Sequence, residues 1–155
     1  MKRTVKTKEI LNVYQHLGQA KYGKLSDEDK IKVWKIARKL KPIAQKFEED
    51  SRDCAEKMKP TDDFTERLQK AQEYERLKQQ NEPTIDVMTT AEYDAFIAEF
   101  RSYQKLVDKA IKEMADVEVD VCFEPISEES FGQLMASNEW TMAQAATIGD
   151  FICEK

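Results

Sequence analysis

The single histidine and the three cysteines are the side chains in this sequence best suited to catalysis or metal binding. His16 lies in a predicted helix with no neighbouring acid and no serine or cysteine motif, so no catalytic triad is indicated. Cys54, Cys122 and Cys153 are far apart, and their spacing matches neither a zinc site nor a disulfide framework. We therefore predict a non-enzymatic protein with no catalytic residue, no metal site and no cofactor.

Clustered carboxylates are the remaining candidates for cation binding. Residues 48–50 and 62–63 are acidic, but they lack the glycine and the alternating oxygen ligands of a calcium loop. With four glycines in the whole chain, no phosphate-binding loop can be assembled either. We interpret these acids as solvated helix ends.

Lysines recur along one side of the predicted second helix, at spacings that would let them follow phosphates. This candidate interaction surface consists of Lys32, Lys35, Lys39 and Lys46. The first 46 residues hold 13 Lys and Arg against 4 Asp and Glu, a net charge of +9, whereas the remainder holds 12 against 26, a net charge of −14. We expect the basic segment to pack beside the acidic one within the fold. The alternative is a surface for nucleic acid or for a partner protein.

Apolar spacing indicates how the helix that carries these lysines is built. Ser26 is a capping residue, and an apolar seam runs from Val33 to Phe47 at steps of three and four, with Trp34 expected to back it. Pro42 lies within this seam. Because the seam stays in register on both sides of the proline, we predict a kink there rather than a helix end.

An aromatic stripe follows a second capping signal at Thr89. Tyr93, Phe96, Phe100 and Tyr103 recur at helical spacing, and we interpret them as core rather than as a stacking platform for bases. Their helix should therefore bury this face.

These two helices are predicted to form a long antiparallel hairpin, residues 26–58 against residues 89–115. The intervening helix, 61–80, has an apolar stripe too narrow for a buried core helix, so it should lie exposed, pack on one side or pair with another chain. We predict one domain over 1–155, with 59–88 as a projecting or inserted helical segment.

One segment has a different period. Residues 117–123 alternate apolar and polar side chains, which is typical of a half-buried strand. Its expected partner is the stretch 4–6, which would join the two ends of the chain in a minimal sheet. Thr7 would then cap a first helix that extends to Tyr22. The predicted class is α+β, predominantly α.

From the sequence we expect neither a secretory signal nor a membrane-spanning segment. The basic start Met1–Thr4 is not followed by an apolar stretch, and no run approaches the ~18 apolar residues that would indicate a membrane span. Together with unpaired cysteines, this favours a reducing, cytoplasmic location and no membrane partner.

The order of these features resembles a family of small uncharacterised bacteriophage proteins encoded among virion and assembly genes. The resemblance depends on a short basic opening strand, the pattern Lys-Ile-Ala-Arg-Lys-Leu at residues 35–40 and the strand Val-Glu-Val-Asp-Val that runs into residues 123–126. It covers the ends of the chain better than residues 58–90. It implies a phage or prophage origin, with a host-cytoplasmic or virion-associated location, and a non-enzymatic role, and it supplies no site residues.

The function that these observations favour is a protein–protein interaction or assembly module, which would bind another protein or a second copy of itself through its helices. One alternative is a nucleic-acid-associated protein that uses the basic face of the second helix. It is less favoured, because the acidic remainder of the chain would repel a polyanion. Another alternative is a small inhibitor of a host enzyme, acting through the acidic C-terminal region.

Overall fold

The computed structural model describes residues 1–154 and confirms a predominantly helical α+β fold. By contacts, the chain divides into two compact units, one of residues 1–50 with the described residues from 113 onward, the other of residues 51–112. The predicted single domain with an inserted segment 59–88 stays a prediction. The elements in chain order are β1 (Lys2–Lys6), α1 (Thr7–Gln19), α2 (Asp27–Lys57), α3 (Phe64–Gln79), α4 (Thr90–Ala115), β2 (Glu118–Cys122), α5 (Glu128–Ala136) and α6 (Met142–Ile152).

The predicted sheet is present in the first unit. β1 and β2 pair antiparallel, with Val5 opposite Val119. The N-terminal ammonium extends the ladder by donating to the carbonyl of Phe123 at 2.6 Å, and the Thr4 hydroxyl donates to Asp120, also at 2.6 Å. Because each strand has only one neighbour within the described residues, these two contacts, one at the end of the sheet and one at its centre, help to hold a two-stranded sheet that would be marginal alone.

The core of the first unit confirms most of the predicted apolar faces. It combines α1, the first half of α2, β2 and the two C-terminal helices, and it contains Ile10, Val13, Leu17, Val33, Ile36, Leu40, Val121, Leu134, Ile148 and Ile152. Trp34 is an exception: it was expected to pack behind the seam, but 57% of its surface is exposed to solvent. The buried residues on α2 fix its rotation, and that rotation directs Trp34 away from the core.

The helix ends show where local signals succeed and fail. Ser26 accepts from the amide of Asp29 at 3.2 Å, as the capping pattern predicted. Thr7 is not the cap of α1: it is the first helical residue, and its hydroxyl donates to the carbonyl of Val117 at 2.9 Å. α1 ends at Gln19 rather than at residue 22. α2 continues through Pro42 as expected, while the kink itself stays a prediction.

In the second unit, α3 packs on α4 along one side. Phe64 is 1% exposed, and its ring lies 4.8 Å from that of Tyr103 and 5.4 Å from that of Phe96. Arg67 joins the same two helices through a bidentate pair with Glu99, at 2.7 and 3.1 Å. The aromatic stripe of α4 is therefore core, as predicted. The last turns of α2 contact α4 where the Tyr103 hydroxyl donates to the carbonyl of residue 55 at 2.6 Å.

Candidate functional site

A groove between α1 and α2, both in the first unit, combines aromatic and basic side chains. It encloses about 670 Å³, and we call it the α1–α2 groove. Its walls are largely apolar, and basic side chains lie at its edge. The lining residues are Tyr14, Leu17, Gly18 and Tyr22 from α1 and the segment after it, and Lys30, Trp34, Ala37, Arg38 and Lys41 from α2.

Helical spacing places the α2 side of this groove. Lys30, Trp34, Arg38 and Lys41 recur at steps of four, four and three, so they share one stripe of the helix. The neighbouring stripe, centred on Ile36, is buried in the core, which holds the groove stripe outward.

The α1 side contributes the groove's wall and its opening. Tyr14 and Leu17 present apolar surface, and a Cβ at Gly18 would meet nothing within 4 Å, so this position leaves the groove open. After the helix, the Tyr22 hydroxyl donates to the carbonyl of Leu17, which holds the ring against α1. Burial raises the pKa of the Tyr22 hydroxyl above its ordinary value.

The charged side chains that line the groove are all basic, and no carboxylate lines it. Lys30 pairs with Asp27 at 3.2 Å, and the Arg38 guanidinium lies 5.2 Å from the Trp34 ring centroid in a cation–π contact. Within residues 1–154, the Lys41 ammonium has neither an ion pair nor a hydrogen bond to another residue. The groove therefore presents apolar aromatic surface with positive charge available at its edge.

The four lysines predicted as an interaction surface differ in their surroundings. Lys32 pairs with Glu28 at 3.1 Å and Glu124 at 3.4 Å, which raises its pKa. Lys39 donates to the carbonyl of residue 122 at 2.6 Å, and Lys46 pairs with Asp50 at 2.7 Å. Among the residues that the structure describes, Lys35 alone of the four has no such partner. None of the four lines the α1–α2 groove, and their role in binding stays a prediction.

Sequence reasoning missed the centre of the groove. The helical spacing predicts Trp34 behind the core seam and Tyr22 at the end of a helix, whereas both residues line the groove. One signal was available: Trp34 is spaced by four residues from both Lys30 and Arg38, and a tryptophan flanked by cations on one helix face is unusual for a core position. The α1 side gave no local signal, because its residues meet α2 only in the folded chain.

The residues considered for catalysis are dispersed. His16 is half-buried and lines a separate surface depression with Asn138 and Trp140. Cys54, Cys122 and Cys153 are free thiols, and burial raises the pKa of Cys153 to about 11. Within residues 1–154, no group of three or more His, Cys, Asp or Glu is placed to hold a metal ion. In the same range, no helix combines the length and apolar character needed to cross a membrane.

Comparison with known proteins finds no match: no protein-family model, no curated protein and no solved structure matches this chain.

Proposed function

We propose that the protein is a non-enzymatic protein–protein interaction module and that the α1–α2 groove is its contact surface. The observation that carries this proposal is the exposure of Trp34, 57% accessible at the edge of an apolar groove and flanked by Arg38. Ile31, one turn earlier on α2, is 52% exposed. Tryptophan, tyrosine and arginine are the side chains that most often dominate binding energy at protein interfaces.

The charge of the groove indicates the chemistry of its partner. Lys30, Arg38 and Lys41 line it and no carboxylate does. A partner surface with an apolar anchor and surrounding carboxylates would bury the indole and complement the three cations, which favours both the rate of association and specificity. An amphipathic acidic helix has this composition, and helices commonly dock in apolar grooves of this kind.

Trp34 also provides the assay. The chain has two tryptophans, so Trp140→Phe leaves Trp34 as the only indole reporter. We expect an acidic amphipathic helical peptide without tryptophan to shift the emission of this variant to shorter wavelength in a saturable manner. The same peptide with lysine in place of each glutamate should produce no shift.

A matched pair of charge variants locates the binding site. In the Trp140→Phe background, Arg38→Glu with Lys41→Glu should weaken binding of the acidic peptide by at least about tenfold. Lys105→Glu with Lys109→Glu changes the net charge equally on the exposed side of α4 and should leave binding unchanged. Equal effects of the two pairs, or no shift with the acidic peptide, would contradict the proposal.

Nucleic-acid binding is the second candidate, and the contact between Arg38 and Trp34 is the observation that favours it. An exposed indole beside a guanidinium can stack an unpaired base. Most other exposed charge in the chain is acidic, and Lys32, Lys39 and Lys46 already have partners, so we rank this candidate second. A single-stranded oligonucleotide that shifts Trp34 emission, with affinity that falls steeply as salt rises, would reverse this ranking.

A further inference from the structure

A second groove in the first unit has the opposite charge. It lies between α5 and α6 and encloses about 420 Å³, and we call its exposed surface the α5–α6 face. Its rim carries the carboxylates of Glu128, Asp150 and Glu154, and no Lys or Arg lines it within the described residues. Met142 is 81% exposed and Met135 is 39% exposed at the same face.

Tight local packing defines this face. A Cβ at Gly149 would lie 2.9 Å from the Phe131 ring, so the ring of α5 packs closely on α6 at a position where glycine leaves room for it. The Thr141 capping box fixes the start of α6. Arg3 fixes its end, because the guanidinium donates to the carbonyls of Asp150 and, at 2.8 Å, Cys153. Glu128, Asp150 and both methionines are therefore carried on anchored helices, and Glu154 follows the end of α6.

We propose that the α1–α2 groove of one copy receives the α5–α6 face of a second copy. This inference rests on the proposed function, and it names the partner. Three cations line the groove, and three carboxylates line the face. The exposed methionines supply the apolar anchor, since a flexible thioether packs favourably against aromatic rings such as those of Trp34 and Tyr14.

The two surfaces share no lining residue, so one copy can use both at once. A contact between two different patches is heterologous, and repeating it produces a closed ring or an open chain rather than a two-fold dimer. Charge complementarity between the patches makes the association weaken as ionic strength rises.

Charge reversal on each surface tests this pairing by analytical ultracentrifugation of the full chain. The wild type should self-associate as its concentration rises, and less so at high salt. The groove variant, Arg38→Glu with Lys41→Glu, should lose self-association, because both of its surfaces are acidic. The face variant, Glu128→Lys with Glu154→Lys, should lose it too, because both of its surfaces are basic.

Mixing the two variants is the decisive step. Each variant then offers the other a complementary surface, so the mixture should associate. Each variant alone should self-associate with an affinity at least about tenfold lower than that of the wild type. Circular dichroism of each variant checks that it remains folded. Lys105→Glu with Lys109→Glu should self-associate like the wild type. In the Trp140→Phe background, Trp34 emission should shift to shorter wavelength as the concentration rises.

The outcomes separate this inference from the proposed function. A strictly monomeric wild type that still binds the acidic peptide through the groove would overturn the second-copy inference and leave the proposed function standing. Self-association that neither charge reversal weakens, or a mixture that stays monomeric, would also overturn the inference. A wild type that neither self-associates nor binds the peptide would refute both.

Discussion

Replacing Phe64 with alanine tests whether α3 is held by its aromatic contacts with α4. The Phe64 ring is 1% exposed and lies within 4.8–6.2 Å of three rings on α4, those of Phe96, Phe100 and Tyr103. Truncation of a buried phenylalanine to alanine typically costs about 3–5 kcal/mol, through lost transfer energy and the cavity that remains. Because about 1.4 kcal/mol changes an equilibrium constant tenfold, the equilibrium constant for opening of α3 should increase by roughly a hundred- to several-thousand-fold.

Hydrogen exchange of the α3 amides measures this opening directly, because amide protection reports the free energy of local unfolding. We expect the protection of residues 64–79 to fall by that factor in Phe64→Ala. Phe64→Leu retains most of the apolar volume, so it should lower the free energy of α3 opening by a smaller amount, about 1–2 kcal/mol. Ile85→Ala removes an apolar side chain that is 77% exposed in the same unit, and it should change protection by less than about 0.5 kcal/mol.

A different result would refute the argument. If Phe64→Ala exchanges its α3 amides at nearly the wild-type rate, α3 is not held by this cluster. The helix would then be free to lie exposed or to pair with another chain, which are the other two arrangements that its narrow apolar stripe allows.

Three further outcomes follow from single contacts. The Tyr93 hydroxyl donates to a carboxylate on α3, which raises the pKa of Tyr93 to about 12. The stability that this hydrogen bond contributes should be complete below pH ~10 and lost as pH rises through about 12. Ultraviolet titration measures the pKa, and urea unfolding compared with Tyr93→Phe measures the stability. The Ser130 hydroxyl donates to Asp29 at 2.7 Å and lowers its pKa, so Ser130→Ala should destabilise at neutral pH, with the difference in urea unfolding shrinking as pH falls through the lowered pKa of Asp29. Arg3→Ala removes two donors from carbonyls at the end of α6 and should cost about 2 kcal/mol in urea unfolding, whereas Lys2→Ala, which breaks only an exposed ion pair, should cause no measurable loss.

Spacing within a few residues is enough to predict the buried faces of single helices and strands in this chain. The aromatic stripe of α4 and the alternation around Val119 and Val121 each identify one face of one element, and the structure places those faces in the core or the sheet. Capping at Ser26 was predictable for the same reason, since its partner is three residues away. Tyr74 was missed, although it is 3% exposed and stacks on Tyr93 at 4.3 Å, because it is surrounded by charged residues on α3.

The features that sequence reasoning missed depend on long-range geometry. Thr7 has the residue type of a cap, but the carbonyl of Val117 is its partner, 110 residues away. Trp34 has the residue type of a core position, but the contact of α1 with α2 decides which apolar residues beside the seam become buried. The α1–α2 groove requires Tyr14 and Trp34, 20 residues apart, to meet across two helices. No local spacing encodes that meeting.

The division of charge along the sequence has two structural parts. Much of the positive charge of the first 46 residues is used inside the first unit, where Lys2 pairs with Asp120, and Lys6 and Lys8 pair with Asp116 at 3.6 and 2.8 Å. These pairs lie along and beside the β1–β2 sheet, so they align the basic start of the chain with the acidic strand that it meets. Arg38 and Lys41 have no carboxylate partner among residues 1–154, and both lie beside Trp34. Charge that the fold leaves unneutralised beside exposed aromatic surface is what an acidic partner would complement, and the α5–α6 face of a second copy has that character.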